Sequence, residues 1–344
     1  MIRVGINGFG RIGRAICRVN AEQKRVQIVA INDLNPDPGN MAYLLKYDSI
    51  YGRLERDVVV EGDSLHLDGQ AVKLSHKSRI EEVPWEQSGV DVVVDATGAK
   101  SNVLAASKLI GRVKKVVITH SPKEVDHTII LGVNEETYDP KRHHVLSSSI
   151  CDACAVAPVL KAMDEAFGLE AGFVTTLHPW LSYQNLMDGP AHGWADPEGR
   201  DAHYPVGRSS IGALIPKPTS VIEATERVLP HLRGVVQCMS YRVPTQIVGA
   251  ANIYLRLSRS PTEAEVHNVF RKAEQQQRWP IFRTTTEPLT SVDFTKTEFS
   301  SIIDGRWTDR FGSQELFLAL WYDNEWGYSH RVLDVISYAL GRED

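Results

Sequence analysis

The sequence predicts an α/β fold whose first half is a doubly wound parallel sheet, and three observations carry the prediction. A short, mostly apolar strand at 2–7 runs into Gly8-Phe9-Gly10-Arg11-Ile12-Gly13 and then into a helical pattern through about Val19. A second strand, from Val26 to Ile31, ends in Asn32-Asp33, twenty residues beyond Gly13. Apolar strands at 90–95 and 114–119 flank a helical stretch near 101–110, so strands and helices alternate to about residue 150. Such alternation is the mark of a parallel sheet, whose strands need crossover connections.

In the glycine loop, Gly8 allows the tight turn, Gly10 lets the backbone approach a pyrophosphate, and Gly13 lets helix and strand pack closely. The phosphates would rest at the helix N-terminus, where free N–H groups and the dipole favour anions. Three glycines alone can mark an ordinary turn, and a strand-end aspartate can simply cap one. The full order of strand, loop, helix, strand and acid is what points to a dinucleotide. A carboxylate at Asp33 suits ribose hydroxyls and repels a 2′-phosphate, which favours NAD over NADP. The candidate cofactor residues are therefore Gly8, Phe9, Gly10, Arg11, Ile12, Gly13 and Asp33. "DATGAK" (95–100) ends its strand in Thr97-Gly98, at the carboxyl edge where such sheets bind ligands, and Thr119 closes the next strand there.

With 344 residues the chain exceeds most single cores, so two domains are expected. Its 42% hydrophobic and 24% charged residues are ordinary for a globular protein. A net charge of −5 gives no sign of a nucleic-acid-binding surface. Apolar runs such as "VDVVVDATG" fall well short of the ~20 residues a membrane span needs. "MIRVGINGFG" enters a strand directly, without the charged and apolar regions of a secretory leader. Four cysteines, at 17, 151, 154 and 238, are too sparse for a disulfide framework. The expectation is a cytoplasmic, reduced protein.

The chemistry-bearing residues fall in the second half. Residues 152–167 read as a helix, with Val156, Val159, Leu160, Met163 and Phe167 apolar and Gly168 as its stop. Cys151 then stands at or just before the first turn, where the dipole would stabilise a thiolate nucleophile. Cys154 falls one turn on and is expected to pack inward. A zinc site would need two more ligands at a recognised spacing, which neither a second CxxC nor His143 and His144 supplies, so no metal is expected. A thioredoxin-type pair would open the helix after the first strand of its own small fold, whereas this one follows a complete dinucleotide domain. The strand Phe173 to His178 places a histidine 27 residues after Cys151, which allows a thiolate–imidazole pair with the imidazole as general base. Spacing alone does not decide between that role and an ordinary strand-end histidine.

"INGFGRIGR" (6–14), "INDL" (31–34), "LLKYDS" (44–49), "DATG" (95–98), "RVPT" (242–245) and "WYDNEWGYS" (321–329) resemble the glyceraldehyde-3-phosphate dehydrogenase family, in order from end to end. Erythrose-4-phosphate dehydrogenase is a relative sharing these motifs. The resemblance implies a homotetramer in which a cysteine thiolate attacks an aldehyde. The hemithioacetal then yields hydride to NAD, and phosphate or water cleaves the thioester. It also implies an NAD-binding domain at 1–150, completed by a C-terminal helix within 324–344, and an α+β catalytic domain at 151–323 with a mostly antiparallel sheet. On the matching positions it makes Cys151 the nucleophile, with Pro158 seven residues on, and His178 the base in a Thr-Thr-x-His context. It makes Asn324 the holder of the nicotinamide carboxamide and Tyr328 the aromatic beside that ring. Arg242 and Thr219 fall to the substrate phosphate sites, although a strand-end ion pair and a helix N-cap would equally explain them.

The departures cluster at those phosphate sites. The family's Ser-Cys-Thr is Ile150-Cys151-Asp152 here, which removes two hydroxyls and adds a carboxylate that should oppose thiolate formation and repel phosphate. Leu181 and Tyr183 stand where the family usually has a hydroxyl-bearing pair, and Arg208 is the one match to a basic pair. Extra length lies in "HGWADPEGRDAHYP" (192–205). The expected function is an NAD-dependent aldehyde dehydrogenase of this family with altered phosphate sites acting on a small-molecule aldehyde. Ordinary phosphorylating glyceraldehyde-3-phosphate dehydrogenase, erythrose-4-phosphate dehydrogenase, and a non-catalytic NAD-binding sensor or scaffold are the alternatives. Helices are also expected at 262–277 and in the C-terminal segment, with Val332, Ile336 and Leu340 on one face, and a short strand at 301–305.

Overall fold

A computed structural model describes residues 1–190 and 204–341. The chain divides into two compact units, Met1–Ile150 with Tyr328–Asp344, and Cys151–Gly327.

The first unit opens with β1 (Arg3–Asn7), α1 (Arg11–Gln23), β2 (Gln27–Asn32) and α2 (Pro38–Lys46). Short strands β3 (Tyr47–Asp48) and β4 (Gly52–Arg53) pair with each other, and β5 (Val58–Glu61), β6 (Ser64–Leu67) and β7 (Gln70–Ser75) form a meander. Then come β8 (Val92–Asp95), α3 (Lys100–Ala106), β9 (Lys115–Ile118), β10 (His127–Thr128) and β11 (Val145–Ser147). The nine-stranded sheet runs β10-β11-β9-β8-β1-β2-β7-β6-β5. It is parallel from β10 to β7, and the meander adds an antiparallel edge. Central strands β8 and β9 are buried along their whole length, as parallel strands covered on both faces must be. The chain goes from β1 to β2 on one side and later returns to β8 on the other. The carboxyl ends of β1 and β8 therefore flank the switch point where such sheets take ligands.

Local chemistry explains where the helices differ from the sequence-based reading. Helix α1 continues past Val19 to Gln23 and stops where Lys24 turns left-handed (φ 53°). The Asn20 amide staples the following turn, accepting from Arg25 and Val26 N–H and donating to Val26 O. Helix α2, not anticipated, has Asp37 as its cap, accepting from Asn40 N–H, and Pro38 in its first turn.

The second unit contains α4 (Cys151–Phe167), β12 (Leu169–Pro179), β13 (Ile215–Lys217), α5 (Val221–Val228), β14 (Val236–Val243), β15 (Gly249–Leu257) and α6 (Glu263–Gln276). It continues with β16 (Phe282–Thr285), β17 (Ser301–Asp304), β18 (Asp309–Phe311) and β19 (Glu315–Tyr322), before α7 (Trp326–Gly341). Its eight-stranded sheet runs β13-β14-β12-β15-β19-β17-β16, with β18 on β19. Among the described residues only β12–β14 and β16–β17 of this sheet pair in parallel, so the predicted class, a Rossmann-type sheet plus a mostly antiparallel one, is what folds. Helix α6 starts on a reciprocal capping box between Thr262 and Glu265.

Helix α7 is not the one-faced helix its pattern suggests, because it is buried nearly all round from Trp326 to Leu340. Arg331 and Arg25 both pair with its buried Asp334, and the Tyr138 hydroxyl donates to Ala339 O. Burial on every side is tolerated because these polar groups carry their partners with them. Residues 192–203 of the long segment lie outside the described residues.

Asp95, at the end of β8, is fully buried and accepts from Asn7 Nδ2 and Thr97 Oγ1, both at 2.8 Å. Its Oδ2 has no hydrogen-bond partner among the described residues. Burial pushes its carboxyl up to about 6, against those donors. A folded pKa above the unfolded value adds stability at pH below about 4, and that stability is lost as pH rises through about 6. Asp95→Asn titrates in neither state, so its stability relative to the native chain should climb over that window, by up to about 3 kcal/mol. Urea unfolding between pH 4 and pH 7.5 measures this, and a difference that stays flat with pH contradicts it.

Candidate active site

At the carboxyl edge of the first unit, Gly8 takes φ +92°. A Cβ placed on it would stand 2.8 Å from Thr97 Cγ2, which puts the ends of β1 and β8 side by side. A Cβ on Gly13 would stand 2.1 Å from Gly8 O, whereas one on Gly10 would meet nothing within 4 Å. Gly10 therefore leaves open space at the start of α1, where no side chain caps the first N–H groups. Asp33 Oδ2 accepts from Phe9 N–H at 2.6 Å, so this carboxylate braces the glycine loop. Arg11 is an ion pair with Asp48 of the "LLKYDS" string and lies over the Tyr51 ring. Ile12 is half-buried beside it in α1, and Gly98 is left-handed at φ 70°. Thr119 Oγ1 donates to Asp95 O at 3.0 Å, tying β9 to β8. An uncapped helix start, an open glycine and a carboxylate at the second strand end fit a dinucleotide.

Tyr328, in the same unit, is buried, and its hydroxyl donates to Ser149 O at 2.9 Å and shares a hydrogen bond with Ser148 Oγ at 2.8 Å. It thereby anchors the backbone just before Ile150-Cys151, where Ser149 is left-handed at φ 62°.

In the second unit, Cys151 opens α4 and His178 lies near the end of β12. Cys151 Sγ is 3.5 Å from His178 Nε2 and donates to Asp152 Oδ1 at 3.3 Å. His178 Nδ1 lies 2.7 Å from Pro179 O. A carbonyl only accepts, so Nδ1 carries the proton and Nε2 of the neutral ring is an acceptor facing the sulphur. Asp152 Oδ1 is 3.7 Å from Nε2 and also accepts from Tyr322 OH at 3.0 Å. Tyr322 reaches it over a gap left by Gly249, its partner across the β15–β19 pair. A Cβ on Gly249 would stand 2.6 Å from Tyr322 Cζ. The expected inward packing of Cys154 is observed, at 5% exposure.

Parallel pairing sets Arg242 of β14 level with His178, and Lys217 of β13 pairs with Ser240, two residues away on β14. Arg242 is buried, with Pro179 O and Tyr183 OH at 3.5 and 3.4 Å from its guanidinium. Burial pushes the Cys151 thiol well above its ordinary value, and Asp152 pushes it further by charge and hydrogen bond. The helix start would favour a thiolate, whereas desolvation and the adjacent carboxylate act the other way in the resting site. Burial and then Arg242 hold His178 at about 4, against Asp152. Burial alone would raise Asp152, but His178, Arg242 and Lys217 together bring its carboxyl below the usual range. Burial and Arg242 lower Lys217 to about 8. The resting set is therefore thiol, carboxylate and neutral imidazole. Ligand atoms of Cys151, Asp152 and His178 all lie within 4.8 Å of one another, close enough for one metal ion. Arg242 and Lys217 beside them oppose a divalent cation, so the cluster suits proton transfer better.

The remaining candidates sit apart from this cluster or in supporting contacts. Asn324 is buried and its Oδ1 accepts from Val248 N–H at 3.1 Å. Thr219 precedes the α5 N-cap, which is Ser220, and its hydroxyl accepts from Val221 N–H at 3.3 Å. Arg208 is exposed and pairs with Asp188 at 2.9 Å, which engages its charge at the surface. Sequence reasoning missed Lys217, Tyr322 and Gly249. Tyr322 stood inside "WYDNEWGYS", but nothing in that string shows which side chain reaches across two strands.

Tyr322→Phe removes one donor from a buried carboxylate and should cost about 1–3 kcal/mol. An unchanged midpoint in urea unfolding would show that the hydroxyl contributes nothing.

Residues 2–103 match the family model for the glyceraldehyde 3-phosphate dehydrogenase NAD binding domain, and residues 150–324 match that of its C-terminal domain. The chain is 36% identical to glyceraldehyde-3-phosphate dehydrogenase 2 of Bacillus subtilis, over 99% of this chain and 97% of that one. It is 37% identical to glyceraldehyde-3-phosphate dehydrogenase of Geobacillus stearothermophilus, over 99% of both chains. To glyceraldehyde-3-phosphate dehydrogenase 2 of Streptomyces avermitilis it is 38% identical over 97% of both. Among the described residues no helix is long and apolar enough to cross a membrane. With both domain models matched in order and similarity over nearly its whole length, the chain belongs to the glyceraldehyde-3-phosphate dehydrogenase family and is an NAD-dependent oxidoreductase.

Proposed function

We propose that the chain is an NAD-dependent aldehyde dehydrogenase that uses Cys151 as nucleophile and His178 as base, with altered use of phosphate. The observation that carries this is the 3.5 Å approach of Cys151 Sγ to an unprotonated His178 Nε2. Nε2 takes the thiol proton as sulphur bonds to the aldehyde carbon, and the carbonyl π pair moves to oxygen. The imidazolium returns that proton to the oxygen, leaving a neutral hemithioacetal. NAD, when bound, would supply the acceptor for the hydride that leaves the carbon joined to sulphur. As the hydride leaves, Nε2 takes the hydroxyl proton and a thioester remains for a nucleophilic acceptor to cleave.

The glycine loop from Gly8 through Phe9, Gly10, Arg11 and Ile12 to Gly13, with Asp33, Thr97, Gly98 and Thr119, would hold the dinucleotide. Asn324 and Tyr328 serve the nicotinamide end on the motif resemblance. Arg242, Thr219 and Arg208 are assigned to substrate on the same ground, and Asp152 because it stands where the family has a hydroxyl beside the nucleophile. The resemblance also implies a homotetramer, and the sparse cysteines support a cytoplasmic protein.

Asp152, in the first turn of α4, sets an anion 3.3 Å from the sulphur that would carry the thioester, which supports weakened use of inorganic phosphate. A second reading, ordinary phosphorylating glyceraldehyde-3-phosphate dehydrogenase, is favoured by Arg242 and Lys217, whose charges act on the same cluster.

An aldehyde panel with NAD, assayed with and without inorganic phosphate, separates the two readings. The proposal expects slow, phosphate-independent NADH formation from glyceraldehyde 3-phosphate, and robust phosphate-dependent turnover overturns it in favour of the second reading. Cys151→Ser should abolish turnover, by about a thousandfold or more. A variant that retains full activity removes the thiol from the mechanism.

A further inference from the structure

Asp152 is the unusual member of the cluster, and its contacts converge on a single oxygen. Oδ1 lies 3.3 Å from Cys151 Sγ, 3.7 Å from His178 Nε2 and 3.0 Å from Tyr322 OH. The carboxylate thus stands at nearly the same distance from the atom that loses a proton and the atom that gains it. During thiol activation the two effects oppose each other, since Asp152 repels the new thiolate and attracts the new imidazolium. Once sulphur is bonded to carbon it carries no charge, and only the attraction remains.

Resting on the Cys151–His178 reading above, we propose that Asp152 is a positioning residue with opposite effects on two steps: it restrains the free thiol, and it strengthens His178 as the base that takes the hemithioacetal hydroxyl proton. The balance is that of the step already written, with the oxygen–hydrogen bond broken, its proton on Nε2, its electron pair forming the thioester carbonyl, and the hydride on NAD. Other groups face the cluster as well. Cys154 lies on α4, Lys217 on β13, Cys238 and Arg242 on β14, and Tyr322 on β19. The cations Arg242 and Lys217 depress His178, and Asp152 is the one acidic side chain opposing them among its named neighbours. Without it, the imidazolium formed during oxidation would face two cations with no carboxylate among its named neighbours to oppose them.

Asp152→Asn tests this, because the amide oxygen still accepts from Tyr322 while the charge is gone. The first readout is the rate of Cys151 alkylation by iodoacetamide against pH, followed by mass spectrometry without NAD or aldehyde. Iodoacetamide is uncharged, so the missing carboxylate acts on the sulphur alone. Alkylation at pH 7 should accelerate, and its midpoint should move to lower pH, about tenfold in rate for each unit moved. The second readout is single-turnover NADH formation from glyceraldehyde 3-phosphate, which should slow by about tenfold. The third is the His178 proton resonance titrated in the alkylated enzyme, where the sulphur is neutral and no turnover is needed. Its midpoint should fall in the variant. Asp152→Thr, neutral and compact, should behave as Asp152→Asn does if the latter folds poorly.

Faster alkylation together with a weaker His178 supports the proposal. Alkylation that is unchanged or slower, or a His178 midpoint that does not fall in the alkylated variant, overturns it, as does NADH formation at the native rate. Loss of all rates together points to a packing role and also overturns it. Full turnover by Cys151→Ser would instead mark failure of the underlying reading.

Discussion

An ionised carboxylate buried in the first turn of α4 is the constraint around which the second unit's polar groups are arranged. A buried charge left unpaired costs several kcal/mol, so it persists only where donors and opposite charges surround it. Asp152 is 5% exposed and meets that requirement through Tyr322 OH, the Cys151 thiol and the charges of Arg242 and Lys217. These partners come from four different elements, so the cluster depends on the register of the whole β13-β14-β12-β15-β19 stretch. Gly249 belongs to the same arrangement, because only a residue without Cβ lets the Tyr322 ring lie across β15.

The electrostatic consequence is a resting site tuned away from the ion pair that a cysteine facing a histidine first suggests. Burial and Asp152 keep the proton on sulphur, while burial and Arg242 keep it off His178. On the proposed mechanism, activation then waits for substrate, whose carbonyl takes up the charge that the thiolate cannot hold in isolation. A thiol kept protonated at rest also reacts less with adventitious electrophiles and oxidants. The first unit follows different physics. Its ligand edge depends on backbone approach, with Gly13 packed on Gly8 O and Gly10 left open, and Asp33 holding Phe9 N–H.

Much of this was legible beforehand because the informative signals are local. The glycine spacing, the strand–helix alternation to residue 150, the start of α4 beside Cys151 and the interval to His178 all lie within short windows of sequence. Element ends were less legible. Helix α1 ran four residues further than its apolar pattern, because the Asn20 staple rather than hydrophobic periodicity sets its end. Helix α7 read as one-faced and is buried nearly all round, since Arg331 and Asp334 neutralise each other inside.

The sequence by itself determined the fold class, the NAD cofactor and the family, since each rests on residue types at fixed spacings that act through local backbone geometry. It also determined that a carboxylate would stand next to the candidate nucleophile. What that carboxylate does was decided by tertiary structure alone. Tyr322 lies 170 residues from Asp152 in the chain and meets it through strand pairing. Lys217 and Arg242 reach the cluster through the register of β13, β14 and β12. Whether a thiol ionises depends on burial and on the summed field of such neighbours, and neither can be read from the residues that flank it.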